Sequence, residues 1–388
     1  MTRLQACVVG GGPAGAAVAS MLAARGWETT LHERAPGPRP KCCGECLAPR
    51  ARGLLRALGL EAALEVSRAR TTRVRVHRVG AEAAAAVEAG DARAHAPRGV
   101  EQALAGGEGF VVPRAEFDEA LRALAQARGV RVVRGVAARM APGSAEAPMI
   151  ECGDGTHAQP ALVVGADGAG SAVARAAGLA PPRPGRKFGV AWTWERGGAA
   201  AGEAMPEGTI EMLVAPGGYL GLVRRGDAVH AAALLAARSA LAGTPAEVAE
   251  AFARRHPLVR ALARSGAPVH AGGAGPLPWR PSAVVRGGGV ALVGDAAGYA
   301  EPFTGEGMAW AFEGALLLGQ AIDACGGWNA AAAQRYAALH ARHIGRAQRR
   351  CLALAGVLER PRLFAAAHAA ARLFPPAPRW LARQVAGA

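Results

Sequence analysis

Apolar positions along this chain fall into short unbroken runs and alternating stretches, separated by alanine-rich segments with a helical period. Leu4 to Val9 is an unbroken run, which reads as a strand buried on both faces. A glycine turn follows it, and Pro13 to Arg25 reads as a helix. Glu28 to His32 gives a second strand, closed by Glu33. A Pro/Arg-rich connection then leads to a cysteine-rich turn and a helix from about Ala48 to Leu58. Thr71 to Val79 alternates well enough for a strand, whereas Ala81 to Gly107 is too rich in Ala and Gly to show a period. Pro113 opens a helix through Arg128, with Phe117, Leu121 and Leu124 on one face. Val130 to Val133 and Ala161 to Val164 follow as strands, the second running into a Gly-Ala-Asp-Gly turn.

From Phe188 the rhythm becomes that of a separate sheet. Phe188 to Trp194, Thr209 to Val214, Tyr219 to Arg224 and Ala228 to Leu235 each read as strands. Thr244 to Arg255 and Pro257 to Ser265 read as helices. Val290 to Val293 returns to the style of the first strand, and a helix starts at Gly307. The rest of the chain is mainly helical, broken at Pro361 and at Pro375-Pro376. The pattern predicts an α/β protein: a Rossmann-like nucleotide domain, an inserted mixed or antiparallel sheet domain, and a C-terminal helical region. The nucleotide domain is expected in three parts, 1–75, 109–180 and 278–326. The inserted domain takes 76–108 and 181–277, and the helical region 327–388. No internal repeat is visible.

The turn after the first strand carries the first chemistry. Gly10 permits the tight strand-to-helix turn, Gly12 lets backbone approach a pyrophosphate, and Gly15 allows close helix–strand packing. Pro13 and Ala14 open a helix whose N-terminus offers free N–H groups to phosphates. Glu33 can accept both ribose hydroxyls and disfavours a 2′-phosphate, so NADP is not expected as the ligand of this turn. Almost three hundred residues later comes Gly294-Asp295, again at the end of an apolar strand, where α/β sheets bind ligands.

Composition narrows the classes. The chain of 388 residues has a net charge of +15, but Lys41 and Lys187 are its only lysines and the arginines are scattered among alanines. Aromatic residues are 5% of the chain and do not interleave with basic runs, which argues against nucleic-acid binding. The charge can still favour anionic substrates or a weak attraction to an anionic membrane surface. The apolar stretch Ala6 to Ala24 lacks the charged flank of a signal peptide, and no unbroken apolar run is long enough to span a bilayer. Seven cysteines show no secreted pairing pattern, so a cytoplasmic protein is expected. Cys42, Cys43 and Cys46 lie within five residues, but without a second pair or a histidine at finger spacing no metal site is expected. Trp192 and Trp194, two apart on a strand, face the same way, either into the core or as a ligand platform.

Taken in order, these motifs resemble the FAD-dependent oxidoreductases of the p-hydroxybenzoate hydroxylase superfamily, particularly its geranylgeranyl-reductase-like branch. The resemblance rests on the glycine fingerprint with Glu33, Lys41-Cys42-Cys43-Gly44-Glu45, and Arg114 before a helix. It also rests on Gly165-Ala166-Asp167-Gly168, and on Gly294-Asp295 followed by Pro302-Phe303-Thr304-Gly305-Glu306-Gly307. It implies bound FAD, with NADH or NADPH visiting a groove transiently. Cofactor contacts implied are Gly10, Gly12, Pro13, Ala14, Gly15, Glu33, Arg34, Cys43, Gly44, Arg114, Asp167, Gly294, Asp295, Pro302, Gly305, Gly307 and Met308. Cys43, Tyr219 and Pro302 become the catalytic candidates, and Trp192, Trp194, Tyr219 and Phe303 the substrate contacts. Related prenyl reductases carry Tyr-x-Trp-x-Phe-Pro where this chain has Tyr219-Leu220-Gly221-Leu222-Val223-Arg224. The departure favours an NAD(P)H-dependent monooxygenase of a small apolar or aromatic metabolite, working through a flavin C4a-hydroperoxide. The alternative is a reductase or dehydrogenase of C=C bonds in a prenyl or lipid substrate, and a third reading is a non-catalytic flavin-binding partner. A monomer or homodimer is expected. His32, His77, His95, His157, His230, His256 and His270 have no partner assignable from sequence, so no general base is expected, and His340 and His343 are expected to lie away from the flavin. The late helices are expected to pack on the nucleotide domain.

Overall fold

The apolar run at the N-terminus becomes the centre of a six-stranded sheet in the computed structural model, which describes residues 4–80, 99–141, 146–179, 187–236, 244–275, 277 and 284–373. The strand order is Val285–Arg286, Val290–Leu292, Leu162–Gly165, Gln5–Val9, Glu28–Glu33, Arg131–Arg134. All neighbours run parallel except the first pair. Parallel strands are covered on both faces, which is why Cys7 to Val9 and Leu162 to Val164 are apolar without alternation. The helix Pro13–Ala23 is buried from Pro13 to Leu22, so it has alanines on every side and no polar face. It packs against the helix Gly307–Ala324, which brings the two distant glycine turns side by side. Tyr336, on the helix Ala330–His340, donates its hydroxyl to Leu292 O at 2.7 Å and ties the late helices to this sheet.

The inserted sheet has seven strands in the order Val269–Ala274, Lys187–Trp194, Ala228–Ala236, Gly218–Arg225, Thr209–Ala215, Arg73–Arg78, Val100–Ala103. Thr209–Ala215 pairs parallel with Arg73–Arg78, and the other pairs are antiparallel. Val100–Ala103 forms an edge strand within the stretch where no period was visible. Residues 81–98, the expected boundaries at 180–181 and 278, and the Pro375-Pro376 break lie outside the described residues.

Side-chain alternation gives this sheet two different faces. Trp192, Trp194, Leu213, Leu220, Val229 and Leu235 point to a core closed by the helices Pro245–Ala253 and Pro257–Arg264. Met212, Val214, Tyr219 and Leu234 point the other way, toward Phe364 of the last described helix, Pro361–Leu373. The two tryptophans are at most 1% exposed and meet edge to face at 5.5 Å. The expectation that they contact substrate is therefore corrected: register with Ala231 and Val229 turns both to the back of the sheet.

Histidines sealed in the interior make stability pH-dependent. His256 is completely buried behind the inserted sheet, neither ring nitrogen has a hydrogen-bond partner, and its ring meets His77 at 5.1 Å. Burial, helped by His77, pushes His256 down to about 3, and burial pushes His340 down to about 4. Both are neutral in the folded protein and protonate readily once unfolded, near pH 6.5. The unfolded state binds more protons below that pH, so stability falls on acidification through the window from 6.5 toward 3. Each group contributes about 1.4 kcal/mol per pH unit within its own window. The apparent unfolding temperature of the FAD-loaded protein is expected to drop steadily below pH 6.5. His256→Leu should flatten that dependence, and an equally steep profile in the variant excludes His256 as a source.

Candidate active site

One cavity of about 1420 Å³ runs from the first glycine turn to the inserted sheet and on to the last helices. Pockets for drug-sized ligands measure about 300–1,000 Å³, so this cavity has room for a large cofactor and a second small molecule.

Its first end is built by backbone that tolerates no side chain. Gly10 has φ +106°, and a Cβ there would sit 2.4 Å from Ala166 O. A Cβ on Gly15 would come within 1.8 Å of Gly10 O, whereas one on Gly12 would meet nothing within 4 Å. Gly15 is thus a packing residue away from the cavity wall. Gly10, Gly12, Pro13 and Ala14 line the cavity, and the helix starting at Pro13 has no side-chain cap. The open space over Gly12 and the uncapped helix fit a pyrophosphate.

Glu33 and Arg34 flank this end. The Glu33 carboxylate accepts from Gly11 N at 3.0 Å and Ala35 N at 2.9 Å, leaving lone pairs for ribose hydroxyls. Burial alone would raise its pKa. The Ala35 N–H, Lys41, the Gly11 N–H and Arg39 outweigh it and hold the group below the usual carboxylate range. Lys41 itself is pushed down to about 8 by burial and by Arg39.

In the middle stand the residues of the cysteine turn, Arg114, Asp167 and the second glycine turn. Glu45 is the one non-glycine residue with positive φ among the described residues, at 57°. That strain, on the order of 1–3 kcal/mol, is held by Arg225, 3.1 Å from Glu45 Oε2, and by Val112 N donating to Glu45 O at 2.9 Å. His230 Nε2 lies 2.8 Å from Cys43 O. A carbonyl can only accept, so Nε2 carries the proton and Nδ1 accepts from Thr193 Oγ1 at 3.1 Å. Burial keeps His230 neutral by lowering its pKa. Burial also drives Cys42 up to about 12 and Cys46 higher still, so both stay as thiols.

Arg114 reaches the cavity wall, but its guanidinium is engaged by Asp118 at 2.8 and 3.0 Å. Asp167 Oδ2 accepts from Ala172 N and Val173 N at 2.6 and 3.2 Å, while Oδ1 has no protein partner. Gly294 has φ +60°, and its Cβ would lie 2.7 Å from Ala14 Cβ. The two glycine turns therefore touch through this position. Asp295, Pro302, Gly305, Gly307 and Met308 line the cavity beside them with Cys43 and Gly44. The helix Gly307–Ala324 starts there without a side-chain cap, so its first N–H groups are free to meet a ligand carbonyl.

The far end is largely apolar, with Gln102, His368 and the pair Tyr219 and Glu301 as its polar groups. Val74, Val76, Ile210, Met212 and Leu234 form the sheet wall, and Leu354, Leu358, Phe364 and Ala367 close the opposite side. The helix Pro361–Leu373 therefore faces the inserted sheet, whereas the preceding helices Ala330–His340 and Arg346–Leu358 set Tyr336, Ala347 and Cys351 into the core of the nucleotide domain. His368 Nε2 holds the last helix there, 3.1 Å from Val76 O. At one corner Tyr219 packs edge-on to Phe303 at 5.3 Å and donates its hydroxyl to Glu301 Oε1 at 3.1 Å. Lys187 Nζ meets Glu301 Oε2 at 2.7 Å and Glu359 Oε1 at 2.6 Å. Sequence reasoning missed Glu301, Lys187 and Glu359. Lys187 carried a usable signal as one of two lysines in an arginine-rich chain, and Glu301 as the neighbour of Pro302. Glu359 had none, because it arrives from a remote helix end.

Of the expected site residues, all but Gly15, Trp192 and Trp194 lie on this one wall. The chain is 28% identical over 364 residues to 3-amino-4-hydroxybenzoate 2-monooxygenase of Streptomyces cremeus, spanning 91% of this chain and 87% of the relative. It is 29% identical to digeranylgeranylglycerophospholipid reductase 2 of Methanopyrus kandleri, over 78% of this chain and 72% of that one. Its fold superimposes on P. aeruginosa PqsL bound to 2-aminobenzoylacetate, with TM-score 0.71 and 20% identity, over 94% of this chain and 99% of the other. The FAD binding domain family matches residues 3–335. Because that match takes in both glycine turns and the inserted sheet between them, the chain belongs to the FAD binding domain family of p-hydroxybenzoate hydroxylase type and is an FAD-dependent oxidoreductase.

Proposed function

We propose that the protein is an NAD(P)H-dependent FAD monooxygenase that hydroxylates or epoxidises a small aromatic or apolar substrate. The observation that carries this reading is the far end of the cavity, where largely apolar walls carry a few polar groups, among them the hydrogen-bonded pair Tyr219 and Glu301. An aromatic ring fits the walls, and polar substituents fit the polar groups among them. Similarity to an aromatic monooxygenase over most of both chains supports it. Bound FAD supplies hydride acceptance and oxygen activation. The chain supplies the rest. Gly10, Gly12, Pro13 and Ala14 hold the pyrophosphate, Glu33 and Arg34 the adenosine side, and Asp167 and Asp295 the ribityl side. Cys43, Gly44, Pro302, Gly305, Gly307 and Met308 frame the ring, and Tyr219 and Phe303 orient the substrate. Arg114 acts as a fixed cation on this wall through Asp118. The late helices exclude water from the far end, which strengthens each polar contact inside.

In the same reading, parts 1–75, 109–180 and 278–326 carry the cofactor, 76–108 with 181–277 cover it, and 327–388 closes the substrate end. NADH or NADPH visits transiently. The protein works in the cytoplasm as a monomer or homodimer on a small molecule, with at most a weak attraction to an anionic membrane. Among the described residues no helix is long and apolar enough to cross a membrane.

The apolar length of the far end, together with the Methanopyrus relative, favours a second reading, reduction of C=C bonds in a prenyl substrate. Oxygen separates the two. Under the first reading, product forms from an aromatic substrate only when NAD(P)H and oxygen are both present. Product formed anaerobically with dithionite-reduced enzyme sinks it and supports the reductase.

A further inference from the structure

Cys42, Cys43 and Cys46 all line the cavity, beside Gly44, Pro302 and Gly305. All three are free thiols with partial exposure, but their sulfurs are not equivalent. The Cys43 sulfur accepts the Glu45 N–H at 3.4 Å, and the Arg114 guanidinium, held protonated by Asp118, faces it. An N–H donor and a fixed cation around one partly exposed sulfur are the surroundings that activate a cysteine toward oxidants. Burial drives Cys42 up to about 12 and Cys46 higher still, with Cys43 adding to both, so these two wait as thiols. We propose that Cys43 and Cys46 form a reversible redox pair: hydrogen peroxide oxidises Cys43, and Cys46 closes a disulfide with it. The peroxide arises where reduced flavin meets oxygen and no substrate takes the oxygen up. The pair rests on bound flavin alone, and not on the choice between hydroxylation and C=C reduction.

Geometry selects Cys46 over Cys42 as the partner. Adjacent residues have Cα atoms about 3.8 Å apart, below the roughly 4.4–6.8 Å that an unstrained disulfide takes. The Cys42 sulfur moreover packs onto the inserted sheet, where a Cβ on Gly189 would lie 2.7 Å from it. Cys43 instead folds forward over the Glu45 amide, toward the residue that follows. Only Gly44 and Glu45 separate the pair, and Glu45 takes the positive φ of 57° that bends the chain between them. Tyr299 also faces Cys43, and burial keeps its hydroxyl neutral, so it does not compete as a nucleophile. Because Cys43 and Gly44 stand on the cavity wall, closing the bond alters that wall and reopening it restores it.

The steps balance. The Cys43 sulfur bonds to one peroxide oxygen as the O–O bond breaks, and the departing hydroxide takes the thiol proton to become water. The Cys46 sulfur then attacks the Cys43 sulfenic acid. The S–S bond forms, the S–O bond breaks, and the second hydroxide takes the Cys46 proton. Two thiols are oxidised to one disulfide, and peroxide is reduced to two waters. Two equivalents of a small thiol such as glutathione reopen the bond by exchange.

The test treats the full-length, FAD-loaded protein with about one equivalent of hydrogen peroxide, then with iodoacetamide in denaturant, then with trypsin. Cleavage after Lys41 and Arg50 releases Cys42 to Arg50, a peptide that carries all three sulfurs. Untreated protein is expected to give this peptide with three labels. Treated protein is expected to lose two labels and two hydrogens, to keep its one label on Cys42, and to regain all three after dithiothreitol. Cys46→Ser should stop at the first step, with dimedone captured by Cys43. Cys43→Ser should leave Cys42 and Cys46 labelled as in untreated protein. Peptides holding the buried Cys7 and Cys351 should stay labelled throughout. Three labels after peroxide overturn the pair, as does a single label on Cys46, which places the bond between neighbours. Both results are read from the mass of the chain and leave the monooxygenase reading standing.

Discussion

Gly12→Val is expected to yield a folded protein that loses its FAD. Gly12 has φ −77° and ψ −173°, an extended conformation that valine adopts readily, and the added Cβ meets no protein atom within 4 Å. The fold therefore bears no cost, and the side chain enters the space meant for the pyrophosphate. Displacing a ligand by about 3 kcal/mol of overlap weakens it about a hundredfold. Flavin absorbance after gel filtration, read beside the circular dichroism of the same sample, checks both halves. Normal flavin retention refutes the pyrophosphate assignment. Gly15→Val is the informative contrast. Its Cβ would overlap the backbone oxygen of Gly10 at 1.8 Å, and neither the turn nor the helix can give way. That variant should fail to fold, with or without added FAD.

Trp192→Ala carries the second large effect, and it is an effect on stability. The side chain is completely buried between the inserted sheet and the helices behind it. Removing it leaves a cavity costing about 3–5 kcal/mol. Its indole N–H has no partner, so the loss is one of packing and apolar burial. Denaturant unfolding followed by circular dichroism should shift accordingly, while the flavin spectrum and the KM for substrate stay near wild type. A raised KM with unchanged stability would restore the tryptophan to the substrate site. Tyr219, two strands away and on the opposite face, is the converse case, since its hydroxyl serves the cavity and its ring lies at the cavity edge.

These two cases mark the limit of what alternation can tell. Sequence parity states that Trp192 and Trp194 share a face, and that Tyr219 and Gly221 share one. It does not state which face of the inserted sheet looks at the cofactor. That depends on where the sheet docks, and on the helices Pro245–Ala253 and Pro257–Arg264 having already claimed one side. The nucleotide end was legible because its constraints are local. A strand, a positive-φ glycine, a helix start and an acid at the next strand's end lie within 33 residues and need no other part of the chain. The cysteine turn was legible as a motif, but its anchoring by His230 and Arg225 was not, since both come from the inserted sheet.

The sequence by itself determined the pair of glycine turns, the acid that reads the ribose, the alternation of the inserted sheet and hence the family and the cofactor. Each of these is written in residues a few positions apart, where steric and hydrogen-bonding rules act directly. Tertiary structure alone decided which face of the sheet lines the cavity, that the last helices close its far end, and that Tyr219, Glu301, Lys187 and Glu359 stand in line. Lys187 and Glu359, the outermost of the four, lie 172 positions apart in the chain. Only packing of separate elements brings such groups within 3.1 Å of their neighbours. Side-chain chemistry is carried by the sequence, but the distances at which remote groups meet are set by the fold.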